Sequence, residues 1–233
     1  MAEHQTITVP DGTFRAYVAR PEGGSSAPAV VVIQEIFGVN RFVREVADEL
    51  AADGYLAIAP DLFWRIEPGV DITDQSDAEW QKAFALMNAF DIDKGVDDIA
   101  ASIEAVRKDP SCSGKVGAVG YCLGGRLAYL TAARTNADAS TACYPVAVDS
   151  LLGEADRITK PLLMHIAEED GFVPKDAQTR IIAALSPKAN IQIFTYPGRD
   201  HAFARTGGKN YDEADASLAN QRTRDFLARN LKP

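Results

Sequence analysis

The hexapeptide Gly120-Tyr121-Cys122-Leu123-Gly124-Gly125 sets a single thiol among glycines. The apolar run Lys115-Val116-Gly117-Ala118-Val119 before it reads as a buried strand. The run Arg126 to Ala133 after it is rich in good helix formers and reads as a helix. Gly120 and Gly124 carry no Cβ, so strand and helix can approach closely, and Cys122 between them can take a strained backbone angle. Such a turn lifts the sulfur out of the sheet and places it at a helix N-terminus. Unpaired N–H groups and the positive end of the helix dipole there stabilise negative charge. The chemistry this predicts is nucleophilic attack. Glycine-rich strand-to-helix turns also occur for packing alone, so the reading depends on finding partners for the thiol.

A thiol nucleophile needs a base within hydrogen-bond reach, and the base needs an orienting group. The chain has three histidines. His4 lies in a polar N-terminal stretch, and His165 lies inside an apolar strand pattern, where a core role is expected. His201 follows the last strand pattern, at the carboxyl end of the sheet, where chemistry in open α/β sheets gathers. His201 is therefore the expected base. The orienting acid should follow the strand before that of His201, where Glu168, Glu169 and Asp170 compete. Asp170 is favoured because it stands beside Gly171, in a turn leading to a helix opened by Pro174. Glu168 and Glu169 read as a surface turn, and Asp200 as a solvated neighbour of the histidine. Two N–H groups should face the developing oxyanion, one from Leu123 and one from the loop after Ile33, with Ile36 the expected donor. Cys112 falls in a Ser/Gly-rich loop, and Cys143 reads as a small core hydrophobe.

The elements that must position these groups alternate along the chain. Thr6–Val9 and Thr13–Val18 form a hairpin around Pro10-Asp11-Gly12. Pro21–Pro28 is a loop, and Ala29–Ile33 is a β-branched run suited to a strand covered on both faces. Asn40 can cap a helix with Phe42, Val43, Val46, Ala47 and Leu50 on one side, closed by Gly54. Tyr55–Ala59 is a strand stopped by Pro60, and Asp61–Asp74 is a long irregular stretch of the kind that walls a site. Helices are expected over Asp77–Phe90 and Asp91–Arg107, strands over Thr141–Tyr144, Pro161–Ala167 and Ile191–Tyr196, and helices from Pro174 to Leu185 and from Tyr211 to Leu231. This pattern predicts one mostly parallel sheet with an antiparallel N-terminal edge and helices on both faces, in a single domain over residues 1–233.

Bulk properties narrow the function classes. A net charge of −9 and a pI near 4.9 argue against nucleic acid and acidic membrane surfaces. One local arginine can still hold an anionic substrate. No stretch approaches about 20 apolar residues, and Met1–Pro10 lacks signal-peptide character. Three cysteines without metal-ligand spacing suit a reducing cytoplasm, with no metal and no cofactor expected.

With these residues assembled, the chain resembles the dienelactone hydrolase family (carboxymethylenebutenolidases) of the α/β-hydrolase superfamily. The resemblance spans almost the whole chain. It rests on Gln34-Glu35-Ile36-Phe37-Gly38, the Gly120–Gly125 turn, Asp170-Gly171-Phe172-Val173-Pro174 and His201-Ala202-Phe203. It implies an α/β-hydrolase fold, a Cys122, His201 and Asp170 triad, and a thioester intermediate in the cleavage of an ester or lactone. It also implies that Glu35 contacts the cysteine, holding the resting thiol protonated and helping to form the thiolate. A carboxylate beside a thiol opposes thiolate formation by like charge and can serve as its base. The ordinary alternative for Glu35 is a helix-start charge.

The family's substrates carry a carboxylate held by two arginines. Arg205, four residues after His201, matches one. The second should lie on the Asp77–Phe90 helix, where this chain has Trp80, Gln81 and Lys82 and no arginine, with Phe84 where a family tyrosine is expected. Lys82 could act there only as a point charge. Arg205, Trp80, Lys82, Phe84 and Phe37 are thus the expected substrate-binding set, Trp80 and Phe84 also fitting a plain core face. The partner expected is a small-molecule ester or lactone, with no nucleic acid or membrane, for a monomer or weak homodimer. Acyl transfer or thioester cleavage, and non-catalytic small-molecule binding, are the competing readings.

Overall fold

The computed structural model describes residues 3–23 and 26–233. Eight strands form one sheet in the order β1-β2-β4-β3-β5-β6-β7-β8. By its contacts the chain divides into two compact units, one up to Ala118 and one from Val119 on.

In the first unit, β1 (Glu3–Val9) and β2 (Gly12–Ala19) form the expected hairpin, in register from Glu3↔Val18 to Val9↔Gly12. β2 continues antiparallel onto β4 (Leu56–Pro60), and β4 pairs in parallel with β3 (Ala27–Ile33). Every residue of β3 and β4 is buried. Side chains alternate between the faces of a strand, so both faces are covered. Helix α1 (Arg41–Ala52) packs on β2, β3 and β4, and α3 (Ile92–Arg107) on β1, β3 and β4. The caps are as the residue types require. Asn40 accepts from the Val43 N–H and Asp91 from Asp93 and Lys94. Before α2 (Asp77–Ala89), Ser76 and Glu79 bond reciprocally as a capping box.

Several boundaries differ from the sequence reading, and at two of them the backbone bonds show why. Pro60 belongs to β4, opposite Ala16, because the Asp61 N–H supplies the next bond to Arg15. β3 starts at Ala27, whose N–H reaches the Ser111 carbonyl, and Gly24 and Ser25 of the expected loop lie outside the described residues.

β5 (Cys112–Tyr121) runs across the division between the units. Cys112, expected in a loop, is its first residue, with Sγ accepting from the Gly114 N–H. The second unit then adds α4 (Leu123–Arg134), β6 (Ala139–Cys143), β7 (Leu162–Ala167), α5 (Lys175–Leu185), β8 (Ile191–Tyr196) and α6 (Glu213–Leu231). β6, β7 and β8 pair in parallel, from Ser140↔Leu162 to Cys143↔His165 and from Leu162↔Ile191 to Ala167↔Tyr196. α4 packs on β6, and α6 on β6 and β7.

α6 opens at Glu213 rather than Tyr211, because the Asp212 side chain caps it by accepting from Asp215. A 3-10 helix over Val148–Arg157 was not expected. It buries only Val148 and Ala155, so it leaves no apolar stripe to read. His165 is a core residue, as expected. It is fully buried between the Tyr196 hydroxyl (2.7 Å from Nδ1) and the Thr223 hydroxyl (2.9 Å from Nε2), and burial holds it neutral with its pKa pushed down to about 3.

Candidate active site

The strand-to-helix turn has the geometry its glycines foretell. A Cβ on Gly120 would collide with the Gly124 carbonyl, and one on Gly125 would sit 2.7 Å from the Cys143 carbonyl oxygen. Cys122 is held at φ 56°, ψ −116°, in a region side chains rarely occupy. Its N–H donates to the Cys143 carbonyl at 3.0 Å, and its own carbonyl accepts the Arg126 N–H that opens α4. Cys143 is thus a buried strand residue whose backbone serves the turn.

The other expected groups converge within the same unit. Asp170 leaves the carboxyl end of β7 and is buried. Its Oδ1 accepts from the Phe172 N–H (2.8 Å), and its Oδ2 lies 2.8 Å from His201 Nδ1. His201 follows β8 and is also buried. Burial alone would lower its pKa. The charge of Cys122 and the hydrogen bond that Nδ1 donates to Asp170 outweigh that, and its pKa is pushed up to about 10. The imidazole thus holds its proton whenever the sulfur is anionic. Nε2 is buried and makes no hydrogen bond among the described residues, while Cys122 acts on the ring through its charge. Glu169 is exposed and paired with Lys175 at 2.9 Å, as befits a surface turn.

Several neighbours were not anticipated. The rings of Tyr144 and Phe172 stand edge-on to His201, with centroids 5.3 and 4.8 Å away. Tyr144 follows β6 at φ 36°, and Phe172 is half exposed. Asn210 Nδ2 donates to the His201 carbonyl (2.9 Å). Asp200, expected to be merely solvated, is exposed but places Oδ1 2.9 Å from the Gly171 N–H and 2.6 Å from the His201 N–H. The aspartate after Pro-Gly-Arg hints at a turn, but nothing local says which amides it reaches. Arg205 is buried, its Nε against Gly208, where a Cβ would lie 2.8 Å away.

In the first unit, Gln34, Glu35, Ile36 and Phe37 are all buried. Complete burial sets Glu35 apart from an ordinary helix-start charge. The stretch between β4 and α2 clamps this segment. Gln34 Oε1 accepts from the Leu62 N–H (3.0 Å), the Ile72 N–H donates to the Phe37 carbonyl (3.2 Å), and Gly38 bridges Asp71. Gly38 has φ +78°, and a Cβ there would meet the Val70 carbonyl. Trp80 packs edge-on to Phe37 (5.2 Å) and stacks on Phe84 (5.4 Å), while its Nε1 donates to the Asp74 carbonyl. Lys82 is engaged at the surface by Glu67 at 2.6 Å. A cavity of about 510 Å³ within this unit, walled by Phe14, Tyr17, Arg44 and Trp64, includes none of the expected site residues. Among the described residues no group of His, Cys, Asp and Glu could hold a metal ion, and no helix is long and apolar enough to cross a membrane.

A mostly parallel sheet with an antiparallel edge, covering helices and a strained residue at a strand-to-helix turn define the α/β-hydrolase class. The sequence profile of the dienelactone hydrolase family matches residues 14–231, and the chain belongs to that family. It is a dienelactone hydrolase-like hydrolase of esters or lactones. A protein from Azospirillum brasilense provisionally named carboxymethylenebutenolidase is 48% identical over 97% of this chain and 98% of its own length. The carboxymethylenebutenolidase of Pseudomonas putida is 39% identical over 98% and 97%. A crystal structure from Klebsiella pneumoniae, provisionally titled dienelactone hydrolase, superposes with TM-score 0.85 at 27% identity over 98% of both chains.

Proposed function

We propose that the chain cleaves its ester or lactone by covalent catalysis from Cys122. The single observation that supports this is the His201–Asp170 pair, Nδ1 to Oδ2 at 2.8 Å, buried in the same unit as the strained turn that carries Cys122. Asp170 fixes the ring's orientation and stabilises its charged form. In the first step Cys122 Sγ bonds to the carbonyl carbon, the carbonyl electron pair moves to oxygen, and His201 Nε2 holds the thiol proton. Collapse of the tetrahedral species breaks the C–O bond, and His201 delivers that proton to the leaving alkoxide. A thioester remains, and in a lactone the alcohol stays tethered to it. Water, deprotonated by His201, then attacks the thioester, and the thiolate leaves and regains its proton. The Leu123 N–H, at the start of α4, is assigned to the oxyanion.

The Ile36 N–H, in the loop after β3, is assigned as the second oxyanion donor, and two assignments rest on the family resemblance: Glu35 as the carboxylate that governs the thiol, and Arg205 as the anchor for a substrate carboxylate. The burial of Glu35 and Arg205 supports them, since buried charges are retained where they have a task. The cluster of Phe37, Trp80 and Phe84 favours a substrate with an apolar portion, and a substrate carboxylate would have to compete with Glu67 for Lys82. The test is Cys122→Ala, assayed on an activated ester and on a dienelactone. Both activities should fall by several orders of magnitude, and the wild type should show a mass adduct of the acyl group on Cys122. Undiminished turnover of both substrates would remove the cysteine from the mechanism.

A further inference from the structure

The pairing of β7 with β8 ends at Ala167↔Tyr196, but the two chains remain laced beyond the sheet. The Glu168 N–H donates to the Tyr196 carbonyl (3.1 Å), and the Glu169 N–H to the Arg199 carbonyl (2.8 Å). The next link is made by a side chain. One oxygen of Asp200, Oδ1, accepts from the Gly171 N–H at 2.9 Å and from the His201 N–H at 2.6 Å. Those two amides belong to the residue after Asp170 and to the histidine itself. The same atom therefore ties the turn carrying the acid to the loop carrying the base.

The His201 loop has reason to need such a tie. Ala202 is held at φ 62°, a strained setting that relaxes unless its surroundings over-determine it. The loop has further anchors toward α6. Asn210 holds the His201 carbonyl, the Asp212 N–H reaches the Phe203 carbonyl, and Arg199 is paired with Asp212 and Asp215 at the start of α6. They fix the loop to α6, whereas Asp200 fixes it to the acid turn.

We infer that Asp200 is a positioning residue, whose acceptor oxygen sets the spacing at which Asp170 Oδ2 meets His201 Nδ1. The inference rests on the Cys122, His201 and Asp170 reading above. Because Asp200 is exposed, its loss removes no core packing.

The experiment compares Asp200→Ala and Asp200→Asn for kcat and KM on an activated ester. Amide exchange at Gly171 and His201 is followed in parallel. Asp200→Ala should stay folded, lose about tenfold in kcat with KM little changed, and exchange both amides faster. Asp200→Asn keeps the acceptor oxygen without the charge and should recover most of the rate and the protection. A wild-type kcat in Asp200→Ala would overturn the inference. So would an Asp200→Asn enzyme as slow as the alanine variant, since charge rather than anchoring would then be at work. The Cys122→Ala control separates the two readings. If it stays active, the triad reading fails, while accelerated amide exchange in Asp200→Ala still reports the tie. Unchanged exchange there sinks the tie whatever Cys122 does.

Discussion

Cys122, Tyr144 and Ala202 hold positive φ at 56°, 36° and 62°, and each adjoins or belongs to the proposed site. Strain of this kind costs on the order of 1–3 kcal/mol per residue and persists only where packing enforces it. Here it aims a sulfur and an imidazole that a relaxed backbone would present differently. The acid beside the imidazole is the residue whose role can be isolated most cleanly. Asp170 spends Oδ1 on the Phe172 amide and Oδ2 on the His201 ring. Asp170→Asn keeps the size and the first bond but can offer an NH₂ group to Nδ1, which favours the wrong tautomer. The expected loss in kcat is up to about 10⁴-fold, as when the acid of a serine triad becomes an amide. Urea unfolding should change far less than the rate, and equal losses in both would mark Asp170 as structural.

At the scale of elements, the irregular stretch between β4 and α2 acts as a strap. It is pinned to α3 through the buried carboxylate of Asp98 and to the β1–β2 turn through Asp11. Asp98, fully buried on α3, accepts from Trp64 Nε1 (2.9 Å) and from both terminal nitrogens of Arg65, which also reaches Asp11. The Arg65 guanidinium lies over the Trp64 ring at 4.2 Å. That ring fills the space a Cβ of Gly12 would need. Without Asp98, Arg65 keeps Asp11, but the Trp64 Nε1–H and one edge of the guanidinium lose their acceptor, at a cost of about 1–3 kcal/mol. Asp98→Ala should therefore lower the unfolding free energy read from urea curves by an amount in that range. A change under about 1 kcal/mol would show that the strap is held by packing instead.

At the scale of the whole molecule, acid sensitivity has an identifiable source. His165 titrates near 6.5 when unfolded, but its folded pKa is pushed down to about 3 by burial. The unfolded chain thus takes the proton first. The stability this residue contributes is fully present above pH 6.5 and is lost as pH falls toward 3, at up to about 1.4 kcal/mol per pH unit. Urea midpoints measured from pH 7 to pH 4 should fall less steeply in His165→Gln, which cannot titrate. Parallel slopes in the two proteins would place the sensitivity elsewhere.

What the chain order determines and what folding decides separate along a physical line. Gly120, Cys122 and the runs on either side are legible because turn chemistry and hydrophobic period act over a few residues. His201 and Asp170 are legible because parallel strands deliver successive loops to one edge of a sheet. The family membership follows from the same motifs. Asp200, Tyr144 and Phe172 were not legible in their observed roles, because each depends on two segments about 30 to 60 residues apart meeting at hydrogen-bond or ring-contact distance. The engagement of Lys82 by Glu67, and the burial of Glu35 and Arg205, are likewise decided in three dimensions. Residue types along the sequence set which reaction a turn can support. Which polar groups are sheltered from water, and which are spent on one another, is settled only when the segments pack.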